Sequence, residues 1–134
     1  MCGELIGEFR GKITGTRIIE LLETGPKIES TDRSTGKLLG IDAEEMATGW
    51  SVWRSADTQY GEDIGVITSK SGEMAMYTAS FIGTGSAGSL AGNYRGTVYF
   101  HSSTPQWTRL NGKSVVFEYG ADEEGNNHWR LLEW

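Results

Sequence analysis

Arg54, Glu62, Arg95, Glu118 and Glu133 fall inside stretches that otherwise read as β-strands. A charge carried into a protein interior must be paired, so an arginine and a carboxylate meeting in a lumen could anchor a ligand or move a proton. Arg95 is the candidate anchor for an acidic group, and Glu62 or Glu118 the candidate partner or proton carrier. Arg95 alternates with Asn93, Thr97, Tyr99 and His101, while Tyr94, Gly96, Val98 and Phe100 occupy the opposite face. The polar face is either exposed to solvent, the usual case, or the lining of a lumen. Glu118 poses the same choice: Val115, Phe117 and Tyr119 share one face of its strand, and Ser114, Val116 and Glu118 the other.

Aromatic side chains are the second chemical resource. Trp50, Trp53, Trp107, Trp129 and Trp134 are joined by Tyr60, Tyr77, Tyr94, Tyr99 and Tyr119. Large amphipathic rings either fill a small barrel or wall a ligand pocket within it. The candidate ligand-binding residues are accordingly Trp50, Trp53, Glu62, Tyr77, Arg95, Tyr99, Glu118 and Trp129; no catalytic residue is assigned.

Other patterns fail on context. His101 and His128 lack a second histidine or a cysteine at a metal-ligand spacing, so neither a metal nor a cofactor is expected. Gly83, Gly85 and Gly88 spell G-x-G-x-x-G, but Ser89 to Gly96 reads as loop and strand rather than the helix a phosphate would need. Asp122 to Asn126 lacks the alternating ligands of a calcium loop and reads as a hairpin tip. No Gly-x-Ser-x-Gly elbow is present.

The elements that must position these residues are strands. From Gly3 to Gly15 the odd positions read Gly, Leu, Gly, Phe, Gly, Ile, Gly and the even ones Glu, Ile, Glu, Arg, Lys, Thr. That is the period-two pattern of a half-buried strand, and its glycines permit close approach of a neighbour. Further strands are expected at about Lys27–Leu39, Glu44–Arg54, Gln59–Ser69, Glu73–Ile82, Gly92–Ser102, Lys113–Tyr119 and Asn127–Trp134, separated by segments rich in Gly, Asn, Asp and Ser. Gly40–Thr48 and Thr104–Leu110 are the places where a short helical turn would fit. The fold expected is all-β: a single closed antiparallel barrel of about eight strands spanning 1–134.

A chain of 134 residues suffices for one core without cross-links, and Cys2 is its lone cysteine. The charged N-terminal stretch is unlike a signal peptide, and no apolar run suits a spanning helix, so a cytoplasmic protein without a membrane anchor is expected. With 18 acidic and 12 basic residues and no basic patch, nucleic acid is not an expected partner.

Thr24-Gly25-Pro26-Lys27, Gly36-Lys37-Leu38-Leu39-Gly40, Tyr60-Gly61-Glu62 and Ser71-Gly72-Glu73 are followed by Arg95-Gly96, Thr104-Pro105, Arg109-Leu110-Asn111-Gly112, Phe117-Glu118-Tyr119 and Glu133-Trp134. This ordered set, spanning nearly the whole chain, resembles a family of small uncharacterised bacterial proteins with an allene-oxide-cyclase-like, calycin-type barrel. Ser55-Ala56-Asp57-Thr58 departs from the Pro-Asp-Gly turn of that pattern, and Trp50 and Trp53 stand where smaller residues are usual, implying a fuller lumen. Allene oxide cyclases hold a reactive fatty-acid epoxide in an apolar barrel, but their catalytic residues find no match here. The resemblance implies the barrel and supplies no function; fold analogy together with the aromatic content leads to the expectation of a barrel binding a small, largely apolar or acidic ligand in or at its mouth. The alternatives are a cofactor-independent isomerase or cyclase acting by confinement and proton transfer, and an oligomeric structural barrel.

Overall fold

The alternation that begins at Gly3 opens the longest strand of the molecule. The computed structural model describes residues 3–134, with β1 at Leu5–Leu22, β2 at Gly25–Leu38, β3 at Ile41–Trp53 and β4 at Thr58–Ser69. β5 (Met74–Gly85), β6 (Gly92–His101), β7 (Val115–Ala121) and β8 (Asn126–Glu133) complete the sheet. Each strand pairs antiparallel with its sequence neighbour, and β1 pairs with β8, so the expected eight-stranded barrel is closed. Closure between β8 and the first part of β1, Leu5 to Lys12, joins the two edges of the sheet. Cys2 lies outside the described residues.

Two local expectations are corrected. β1 runs beyond Gly15 to Leu22 because its period is broken twice, by register shifts at Ile13/Gly15 and Ile18/Glu20. Apolar residues therefore fall on both parities there, and Ile18, Ile19, Leu21 and Leu22 are all exposed. Lys12 is the last β1 residue paired with β8, opposite Asn126, so the remainder pairs with β2 alone. Gly40–Thr48 holds no helical turn: Leu39 and Gly40 adopt φ of 50° and 80°, closing a tight hairpin that launches β3 at once. Thr104–Leu110 does contain one 3-10 turn, at Thr108–Leu110. Gly83 and Gly85 end β5, and Gly88 sits in the loop before β6, so no helix follows these glycines.

The inward face of β1 carries Gly7, Phe9 and Gly11. A Cβ on Gly11 would lie 2.0 Å from the Arg33 carbonyl oxygen, so glycine is what lets β2 cross this closely. The interior divides lengthwise into two parts. One end is packed solid by Phe9, Leu38, Ile67, Val98, Val115 and Leu131, and is closed by Trp107 and Leu110 from the loop after β6. The other end is hollow. A lumen that is filled and a lumen that forms a pocket thus coexist in one barrel.

Candidate acidic and aromatic cavity

The hollow end follows from small residues at alternate positions on adjacent strands. Ser30, Asp32 and Ser34 point inward from β2, as do Ala43, Glu45 and Ala47 from β3, and Gly61, Asp63 and Gly65 from β4. On each strand an acid is flanked by two small neighbours on the same face. The missing volume leaves a cavity of about 380 Å³ open at one mouth. Tyr77, Tyr94, Phe117, Tyr119 and Trp129 wall its far side. Tyr77 and Trp129, with ring centroids 5.4 Å apart, form the floor where the cavity meets the packed core.

Glycines set the two most important side chains in place. A Cβ on Gly49 would fall 1.5 Å from Asp63 Oδ1, so this carboxyl occupies the space above Gly49. A Cβ on Gly65 would lie 2.3 Å from the Tyr77 ring, which therefore lies flat over β4. Tyr77 donates a hydrogen bond to Glu45 Oε2, and Ser34 Oγ donates to Glu45 Oε1 at 2.9 Å. Each Glu45 oxygen thus has a donor. Asp32 Oδ1 is buried without a partner.

Burial dominates the electrostatics of this group. It pushes Asp32 up to about 9, aided by the negative charges of Glu45 and Asp63. Burial, with Glu45 next, raises Asp63 to about 7. Glu45 is also raised by burial, an effect that its hydrogen bonds from Tyr77, Ser34 and the protonated Asp32 carboxyl partly offset. Burial likewise raises Tyr77 and Tyr119, which stay neutral donors. Among the described residues, no lysine, arginine or histidine lines the cavity. At neutral pH the site therefore combines a protonated acid, a carboxyl poised to titrate and a hydrogen-bonded glutamate.

The structure brings together four of the eight residues expected from sequence and leaves four outside. Trp53, Tyr77 and Trp129 line the cavity. Trp50 contributes to its rim, while its ring packs edge-on against Tyr60 and under the Lys27 ammonium, 4.4 Å from the ring centroid. Glu62 is on the outer wall, where it accepts a hydrogen bond from Tyr60. Arg95 and Tyr99 are also outside, because β6 turns Tyr94, Val98 and Phe100 inward. Glu118 does meet Arg95, at 3.7 Å, and Arg130, at 3.2 Å, but on the outer surface. These four placements correct the lumen expectation, and they remove the arginine anchor for an acidic ligand. Glu118→Gln is accordingly expected to change stability by less than about 1 kcal/mol in a denaturant titration. The same variant should leave ligand binding untouched.

Asp32, Glu45, Asp63 and Tyr119 were not singled out by the sequence reading. The signal that would have found the three acids is small-x-acid-x-small repeated on three successive strands: Ser30-x-Asp32-x-Ser34, Ala43-x-Glu45-x-Ala47 and Gly61-x-Asp63-x-Gly65.

Fold and site together define an up-and-down β-barrel with an acidic, aromatic-walled internal cavity. No family model matches the chain, and no curated protein matches it. Among solved structures it is similar to a conserved protein of unknown function from Rhodopseudomonas palustris, with a TM-score of 0.80 and 12% identity over 97% of this chain and 95% of that one. A protein with unknown function from Clostridium acetobutylicum aligns with a TM-score of 0.82 and 10% identity, covering 97% and 96%. A β-barrel-like protein from Acinetobacter baumannii AYE aligns at 0.78 and 14%, covering 96% and 93%. At such identities the likeness is one of fold. It supports the barrel that the sequence resemblance implied, and none of the three is described as allene-oxide-cyclase-like. Among the described residues, no helix is long and apolar enough to cross a membrane.

Proposed function

We propose that this barrel binds a small, largely apolar molecule in its open end. The observation that carries this reading is the cavity itself: about 380 Å³, walled by aromatic rings and kept empty by Ala47, Gly49 and Ala79 facing inward. Small-molecule sites typically run from about 300 to 1,000 Å³ with mostly apolar walls and a few polar groups. A packed structural barrel would have no use for a ladder of small residues that forgoes core volume. N-phenyl-1-naphthylamine, a neutral probe fluorescent in apolar surroundings, should bind saturably at about one molecule per chain with a micromolar dissociation constant. Ala79→Leu, which extends a side chain into the space, should abolish that binding while costing no more than about 1 kcal/mol, because the cavity accepts the added volume. Equal probe binding by the parent and Ala79→Leu would refute the reading.

A second reading is favoured by the carboxyl cluster. A protonated Asp32 near an Asp63 that titrates close to neutrality sets a proton donor and a proton acceptor in one enclosed space, the arrangement a cofactor-independent isomerase or cyclase uses. This reading moves the proton-transfer role from Glu62 and Glu118 to Asp32 and Asp63. Asp63→Asn would then abolish turnover of a substrate while the neutral probe still binds.

A further inference from the structure

We propose that the ligand of this cavity is a small organic cation, an apolar body carrying a protonated amine that is held by Asp63, with Asp32 and Glu45 lining the same cavity. The inference rests on the binding reading above and names the chemistry of its ligand.

The first argument is the imbalance of charge. Three carboxyl groups line one cavity with no basic side chain among the lining residues. Buried acids are ordinarily paired, because an unpaired buried charge costs several kcal/mol. Here the chain's own arginines and lysines are elsewhere: Arg95 and Arg130 hold Glu118 on the outer wall, and Arg109 and Lys113 hold Glu133. The second argument is hydrogen-bonding capacity. Asp32 Oδ1 is buried without a partner. Asp63 is deeply buried and lines the cavity above Gly49, and burial and the Glu45 charge alone shift its titration, with no hydrogen bond contributing. Asp63, an acceptor without a donor that faces the open cavity, calls for a ligand that brings one. An ammonium brings three. The third argument is the wall: a cation entering among Tyr77, Tyr119 and Trp129 meets the negative faces of aromatic rings.

The titratable groups that line the cavity come from six of the eight strands. They are Asp32 on β2, Glu45 on β3, Asp63 on β4, Tyr77 on β5, Tyr94 on β6 and Tyr119 on β7. β1 and β8 present Ile13, Thr16, Asn127 and Trp129, none of which titrates. The tyrosines remain neutral, so the carboxyls alone control the pH dependence. Cation binding requires ionised carboxylate, and Asp63 crosses from neutral to ionised near pH 7. Affinity for the amine should therefore rise by about tenfold between about pH 6 and pH 8.

Tryptamine, tryptophol and indole-3-acetate share one apolar body and differ in carrying a cation, a neutral hydroxyl or an anion. By calorimetry near pH 7.5, tryptamine should bind about 30-fold more tightly than tryptophol, and indole-3-acetate should not bind. Asp63→Asn should cut the preference for tryptamine to less than about threefold while leaving N-phenyl-1-naphthylamine binding intact. Because this substitution removes like-charge repulsion, it should not unfold the protein. Binding of the neutral probe with tryptophol equal to tryptamine would overturn the cation proposal alone. Failure of the neutral probe and all three indoles would overturn the lumen-binding reading and this proposal with it.

Discussion

Raising the pH from about 5 to about 9 is expected to destabilise the protein by on the order of 5 kcal/mol, the reverse of the usual behaviour of a carboxylate-rich domain. Asp32 and Asp63 have ordinary values near 3.8 and are raised in the fold to about 9 and about 7. Between those limits the folded protein holds protons that the unfolded chain has released, so the free energy of unfolding falls as pH rises. For Asp63 the loss accumulates from about pH 4 and is complete above pH 7; for Asp32 it continues to about pH 9. Carboxylates of the opposite kind, such as Asp122, which its hydrogen bonds with Asn126 hold below the ordinary range, contribute stability that disappears only in strong acid. Maximum stability should therefore lie at mildly acidic pH. Urea titrations across the range measure this, and Asp32→Asn with Asp63→Asn should flatten the alkaline slope and raise stability at pH 8. A parent protein equally stable at pH 5 and pH 9 would show that these carboxyls are not desolvated. The cost is the one expected when a polar site is kept for a ligand: the chain tolerates unpaired buried acids that asparagines would relieve.

The strand content of the barrel was legible because most hairpins carry their own punctuation and β1 advertises its face by alternating Phe9 and Ile13 with charged neighbours. The interior of β2–β4 was not, because hydrophobic alternation there points the wrong way. Along the middle of β3 Met46, Trp50 and Val52 share the outer parity, while Ala43, Ala47 and Gly49 share the inner one, with Trp53 at its end. A reading that puts bulk inside places the lumen on the wrong side of this sheet. Glu62 was named as a charge within a strand and its neighbour Asp63 was not, although Asp63 sits between Gly61 and Gly65 on the small-residue parity that faces the lumen. On β6 and β7 bulk and burial agree, and there the face carrying Tyr94, Val98, Phe117 and Tyr119 was separated correctly from the one carrying Arg95 and Glu118. Closure was a global property. It came from counting strands, whereas the half-filled state of the lumen required the register.

Trp107→Ala is expected to cost about 4 kcal/mol, the largest loss of any tryptophan truncation in the chain, without weakening ligand binding by the molecules that remain folded. Trp107 is fully buried with Leu110 at the packed end, and its indole Nε1 donates a hydrogen bond to the Leu38 carbonyl at 3.0 Å. The loop that delivers it is clamped: the Ser102 amide donates to Asn111 Oδ1 at 2.9 Å, and Asn111 Nδ2 returns a bond to the Ser102 carbonyl at 2.8 Å. Ser102 Oγ also donates to the Met74 carbonyl, tying the plug to the start of β5. Truncation would leave a void that this clamped loop cannot collapse into, as well as an unsatisfied carbonyl in the core. Trp53 provides the opposite case. It is half-buried at the cavity mouth, packed over Gly25, and has no part in the fully buried core. Trp53→Ala should cost less than about 1.5 kcal/mol yet weaken N-phenyl-1-naphthylamine binding by about tenfold, since it removes a wall rather than a support. Measuring urea midpoints and probe affinity for both variants separates the two halves of the barrel. Parallel losses of stability and affinity in both variants would mean that the packed end and the open end are one cooperative site, and the division of labour along the lumen would be wrong.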